Sequence, residues 1–149
     1  MRQIAECFDL RLVLEAHAAE LAAERATAAD LGRLRSRAAV EYTYHDWESY
    51  ATFLDANLAF HLELATLSGN RRLASTLRDL LSSMQRFFFL GLDLGDYGAE
   101  MRSEHERLVA ALARRDAGAA VESIRSQIGR SRDRIMRALI EGRIEIPLD

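Results

Sequence analysis

The chain has 149 residues, of which 49% are apolar and 29% charged, and its formal charge is −3. That balance suits one globular domain spanning residues 1–149 with its own core, and it excludes a disordered segment. No apolar run approaches the length of a membrane span, and acids and bases are interspersed, so neither a membrane segment nor a basic nucleic-acid surface is expected.

Six helices can be read in chain order. The first runs from about Ile4 to Arg25, with Leu10, Leu14, Ala18 and Leu21 as its apolar stripe. It holds the lone Cys7, which has no internal disulfide partner. With no signal-peptide pattern, a cytoplasmic location is expected. Thr27-Ala-Ala-Asp30 resembles a capping box with Asp in place of Glu and starts a second helix, which carries Leu31, Leu34 and Ala38 and fades near Tyr44. Asp46 caps a third helix, which carries Trp47, Tyr50, Phe53, Leu54, Leu58, His61 and Leu64 and stops at Gly69-Asn70. The fourth runs from about Arg72 to Leu90. Gly91, Gly95 and Gly98 mark a loop. The fifth spans about Ala99 to Arg115, and Asp116 caps a sixth that continues to about Glu141. The one strand-like pattern is the Ile144, Ile146, Leu148 alternation in the tail. The expected class is all-α.

Three features bear on chemistry. Asn57 and His61 are spaced to share one face of the third helix, and His105 lies on the fifth. If those helices are neighbours, the three side chains converge in a bundle core, where helical proteins commonly build metal sites. Spacing alone favours the plainer alternative of hydrogen-bonded core or surface residues. Arg11 flanks the apolar stripe of the first helix. It either points inward, where it needs an anionic partner or a bound acid, or lies exposed and pairs with Glu15 one turn on. Phe87-Phe88-Phe89 places three rings about 100° apart around one helix. Either that helix is buried on several sides or one ring meets a second subunit. Local catalytic motifs are lacking: no Glu stands three residues before a His, and there is no His-Glu-x-x-His, phosphate-binding glycine loop or nucleophile elbow.

Taken together, four landmarks resemble the C-terminal effector domain (FCD) of the fatty-acid-responsive branch of GntR-type bacterial transcription regulators. They are Asp9-Leu-Arg-Leu-Val-Leu-Glu15 with the alanine-rich run to Thr27, Asn57-Leu-Ala-Phe-His61 closing at Gly69-Asn70, Glu104-His105 through Leu112, and Asp116-Ala-Gly-Ala-Ala120. The resemblance covers nearly the whole chain. It implies an antiparallel helical bundle that binds a small carboxylate metabolite. In many such domains a divalent metal sits in the core, held by an Asp or Asn, the His after Phe, the His of the fifth helix and a His of the last helix. The first three map onto Asn57, His61 and His105. The fourth falls on Gln127, and Asn57 is neutral where many relatives carry Asp. With no anionic ligand and only two imidazoles, affinity for zinc, nickel or manganese is expected to fall.

The family's winged helix-turn-helix precedes this domain, whereas this chain begins almost at the first effector helix. An excised domain, a truncated product and a free-standing relative all fit that start, and the chain alone is expected not to bind DNA. The expected function is therefore a non-enzymatic, homodimeric sensor of a small organic acid, with Arg11 as its carboxylate anchor and Arg86 as a weaker one. The alternative from another class is a small metal-dependent hydrolase or isomerase on a helical bundle. It needs a general base near the metal, and no carboxylate is obviously placed for one.

Overall fold

The computed structural model describes residues 2–141, so the Ile144–Leu148 alternation lies outside the described residues. Six helices form an antiparallel bundle: α1 (Arg2–Arg25), α2 (Ala28–Ala38), α3 (Trp47–Leu67), α4 (Arg71–Leu92), α5 (Gly98–Ala113) and α6 (Ala117–Ile140). No strand occurs among the described residues.

The helix starts follow the side chains that can satisfy free backbone N–H groups. The Thr27 side chain accepts from Asp30 N, and Thr27 N donates to the Asp30 carboxylate at 2.7 Å, completing the capping box. Asp46 accepts from the backbone of Glu48 and Ser49, and Asp116 accepts from Ala119 N. Gly69, at φ +72°, ends α3 in the left-handed region that glycine tolerates. Asn70 then caps α4 through Arg72 N and Leu73 N.

Helix α1 lies at the centre, packed on α3, α4, α5 and α6, with its most extensive contact along α6. Ala18, Ala19, Ala22 and Ala23 are fully buried, so small side chains line α1 where its neighbours pack on it. The expected stripe on this helix is rotated from the real one. Leu10 is 44% exposed, and the buried face runs through Ile4, Phe8, Arg11, Glu15, Ala18 and Ala22. Its middle turn thus buries charged residues where an apolar pattern expects leucine. Trp47, assigned to the apolar face of α3, is also exposed.

Two boundaries differ from expectation. Helix α2 ends at Ala38 rather than near Tyr44. The connection that follows buries Tyr42, whose hydroxyl accepts from Tyr97 N at 2.7 Å, and Tyr44 donates to the Asp93 carbonyl. The α2–α3 connection is thereby clasped to the α4–α5 loop. Gly91, read as a loop glycine, is a buried helical residue of α4. A Cβ there would meet Ile135 Cγ1 at 3.3 Å, so glycine sets the close approach of α4 to α6. The three consecutive rings divide among neighbours. Phe88 is buried edge-on to Phe8, Phe89 packs against Tyr50 and Trp47, and Phe87 lies under the Arg86 guanidinium.

Candidate functional site

A small cavity of about 30 Å³ lies at the centre of the bundle, enough for one or two waters. Its walls include Arg11 from α1, Asn57 and His61 from α3, Glu104 and His105 from α5, and Gln127 and Arg134 from α6. The structure thus gathers five of the six residues singled out from the sequence: Arg11, Asn57, His61, His105 and Gln127. It leaves out Arg86, which is exposed on α4 with its guanidinium 4.6 Å from the Phe87 ring centre. The reason is rotation. Arg86 stands two residues before the buried Phe88, which puts it on roughly the opposite side of α4.

On the α1–α3 side the polar groups are matched. Arg11 is 3% exposed and Glu15 fully buried, and the Arg11 Nε–H donates to Glu15 Oε1. The other carboxylate oxygen takes His61 Nδ1 at 2.5 Å. A carboxylate can only accept there, so His61 carries its proton on Nδ1, and Nε2 is left to face Arg11 NH2 at 3.3 Å. Burial pushes the Glu15 carboxyl up, but the charges and hydrogen bonds of Arg11 and His61 outweigh that and hold it down at about 2. Both sequence readings of Arg11 hold in part: it is buried, and its partner is Glu15.

The α5–α6 side is different. His105 packs over Phe60, with ring centres 4.2 Å apart, and lies 5.7 Å from the His61 ring. Burial, then the neighbouring His61 and Arg11, pushes its pKa down to about 3, so it stays neutral at pH 7. The Gln127 amide donates to the Glu104 carbonyl at 3.0 Å, which leaves Gln127 Oε1 without a donor. Asn57 Oδ1 and Glu104 Oε1 are also buried without a hydrogen bond. Arg130 Nε sits 3.4 Å from Glu104 Oε1, an ion pair that lacks hydrogen-bond geometry. Burial raises the Glu104 pKa, against the pull of Arg134 and Arg130.

Sequence reasoning missed Glu15, Glu104 and Arg134 as site residues. For Glu15 a signal existed in its spacing from Arg11, but only the packing of α1 on α3 shows that His61 shares it. Glu104 immediately precedes His105, and both are buried because α5 is flanked by α1, α2 and α6. Glu15 against His61 and Glu104 in the cavity wall are thus two buried carboxyls where the sequence marked none as obviously placed.

The donor set is a poor match for a transition metal. Among the described residues, no three His, Cys, Asp or Glu side chains are grouped to hold one. Both ring nitrogens of His61 already have partners, and Arg11 places a cation beside the nitrogen that would bind. What remains is His105, two neutral amide oxygens and the Glu104 Oε1 that Arg130 already faces at 3.4 Å, a weak set for a divalent ion.

A family model for the FCD domain matches residues 6–130. Similar solved structures include GntR of Streptococcus agalactiae, with TM-score 0.69 and 25% identity over 89% of this chain and 58% of that one. McbR/YncC of E. coli gives TM-score 0.72 and 21% identity over 93% of this chain and 66% of that one. A GntR family member from Pseudomonas syringae gives TM-score 0.77 and 21% identity over 94% of this chain and 59% of that one. The chain thus spans about three fifths to two thirds of the length of these structures. No curated protein matches the sequence.

Proposed function

The chain belongs to the FCD domain family, and from that premise we propose that its central cavity senses a small organic acid. The observation that carries this reading is the cavity itself: two buried guanidiniums and three buried, donorless oxygens lining one space. Buried polar groups left unpaired are costly, about 1–3 kcal/mol each. A ligand that satisfies them binds the folded chain and stabilises it.

In this reading the Arg11–Glu15–His61 cluster holds one wall in a fixed geometry. A bound acid bridges α1, α3, α5 and α6. Bridging favours one arrangement of the helices over another, and in a homodimer that preference is passed to the subunit interface. An attached DNA-binding domain would read the change as affinity. Coupling between an effector site and a remote site is typically about 1–3 kcal/mol, or roughly 5–150-fold. The role is binding rather than catalysis, and the chain alone is proposed not to bind DNA. A divalent ion such as zinc, nickel or manganese enters this reading only as a weak guest of His105, Asn57 and Gln127.

The test is to release small molecules from natively purified protein for mass spectrometry, with elemental analysis of the same sample. Recovery of an organic acid in stoichiometric amount, lost in an Arg11→Met, Arg134→Met double variant that still folds, supports the reading. A folded protein that retains no acid and gains no thermal stability from any small carboxylate removes it.

A further inference from the structure

The cavity contains donors and acceptors that do not reach one another. Arg134 on α6 is 8% exposed, yet none of its N–H groups forms a hydrogen bond among the described residues. Its one ion-pair contact is Glu100 Oε1 at 4.0 Å, an oxygen already taken by Arg130 at 2.7 Å. Its guanidinium lies 5.1 Å from the centre of the Tyr97 ring. Facing the same space are Asn57 Oδ1, Glu104 Oε1 and Gln127 Oε1, each buried without a donor. If Arg134 reached Glu104, both deficits would cancel. The separation left between them is the informative feature.

A molecule that fills the gap must present an acceptor at one end and several donors at the other. A carboxylate suits the guanidinium fork, with two parallel hydrogen bonds. At the other end a plain acid offers nothing, and a hydroxyl offers one O–H. An ammonium offers three N–H donors and a positive charge. That matches three acceptor oxygens, one of them from a carboxyl. Arg11 does not compete for the ligand carboxylate on equal terms, because Glu15 and His61 already engage it.

We propose that the cavity binds a small zwitterionic amino acid, its carboxylate on Arg134 and its ammonium on Glu104, Gln127 and Asn57. The inference rests on the effector-site reading above and narrows the ligand class within it. The free space of about 30 Å³ holds one or two waters, so even the smallest members of the class need the cavity to open. Arg134, held on this side by the face of an aromatic ring rather than by hydrogen bonds, is the wall that can give way to admit them.

The test uses the whole chain with a chelator present. Glycine and L-alanine are compared with the matched hydroxy acids glycolate and lactate and the plain acids acetate and propionate, by thermal shift and calorimetry. The expected result is that an amino acid binds at least tenfold more tightly than its hydroxy and plain counterparts. Glu104→Gln, which keeps shape and removes charge, should weaken amino-acid binding at least tenfold. Arg134→Met should do the same, Arg134→Lys should restore part of it, and all three should keep the helical circular dichroism of the parent. Equal binding of lactate and alanine, insensitive to Glu104→Gln, overturns the amino-acid proposal and leaves the effector site standing. Loss of binding in Arg11→Met but not in Arg134→Met likewise overturns it while retaining an acid effector. No response to any of the six probes also overturns it. The effector reading is then decided separately by whether a larger acid is released from native protein.

Discussion

The two walls of the cavity are built on opposite principles. On the α1–α3 side, Arg11, Glu15 and His61 form a closed set in which each charge or ring nitrogen facing its neighbours has a partner. On the α5–α6 side, Glu104, Gln127 and Arg134 are also buried, but Glu104 Oε1, Gln127 Oε1 and the Arg134 N–H groups have no hydrogen-bond partner among the described residues. Both walls are buried, and polar satisfaction differs. The first wall already has its partners and acts as scaffold. The second lacks them and can gain from a ligand. The difference separates residues that carry stability from residues that carry recognition, and it can be tested one wall at a time.

The largest effect should come from breaking the closed set. Glu15→Ala leaves the Arg11 guanidinium buried without its anion, and removing one partner of a buried pair typically costs about 3–5 kcal/mol. Chemical denaturation should show a loss of that size. The double variant Arg11→Met, Glu15→Leu should recover most of it, since an apolar replacement of a buried pair is often neutral or better. A Glu15→Ala protein as stable as the parent would mean that this wall is no more satisfied than the other.

Next in size is a pH effect that begins before the carboxylates titrate. The folded-state pKa of His105 is depressed from 6.5 to about 3, so only the unfolded chain takes up this proton between those values. Stability from this group is complete above pH 6.5 and is lost as pH falls toward 3, with a loss on the order of a few kcal/mol. Glu15 adds a further loss below about pH 4.5, its ordinary value, down to about 2. Urea melts between pH 7 and 5 should therefore already fall in midpoint, and His105→Phe should flatten that window. A flat parent curve above pH 5 would argue against a neutral, buried His105.

How much of this was legible in the sequence follows the same division. The helices were readable because caps and periodicity are local: Thr27 with Asp30, Asp46 and Asp116 all cap as their positions suggest. The failures are tertiary. The end of α2 is set by Tyr42 reaching Tyr97, fifty-five positions on. Gly91 reads as a loop residue, yet the approach of Ile135 is what requires it inside α4. In the site, Asn57, His61 and His105 stood out because polar groups in apolar helices are conspicuous. Arg134 did not, because α6 carries many arginines and only the Tyr97 ring and the α5 wall distinguish the one that is buried.

A smaller change sharpens the contrast by supplying one more ligand to the unsatisfied wall. Gln127→His places a third imidazole beside His105 and His61, where Gln127 Oε1 now has no partner. Divalent-metal affinity in calorimetry should rise at least tenfold, about 1.4 kcal/mol. The gain is limited because Arg11 still occupies His61 Nε2. Unchanged affinity would place residue 127 outside ligand reach of His105.

The smallest effect is expected where sequence reasoning placed an anchor that the structure puts elsewhere. Arg86 is exposed, and its contact is the face of the half-buried Phe87. Exposed cation–π contacts contribute about 0.5–1 kcal/mol. Arg86→Ala should therefore cost no more than that in a urea melt and leave ligand affinity unchanged. Arg134→Met should show the reverse pattern. Its stability should stay within about 1 kcal/mol of the parent, because the change removes a buried cation that forms no hydrogen bond among the described residues while taking a favourable charge from Glu104. Its ligand affinity should collapse. Measured together, the two arginines separate exposure from function. A ligand defect in Arg86→Ala would move the binding site to the outer face of α4 and away from the cavity altogether.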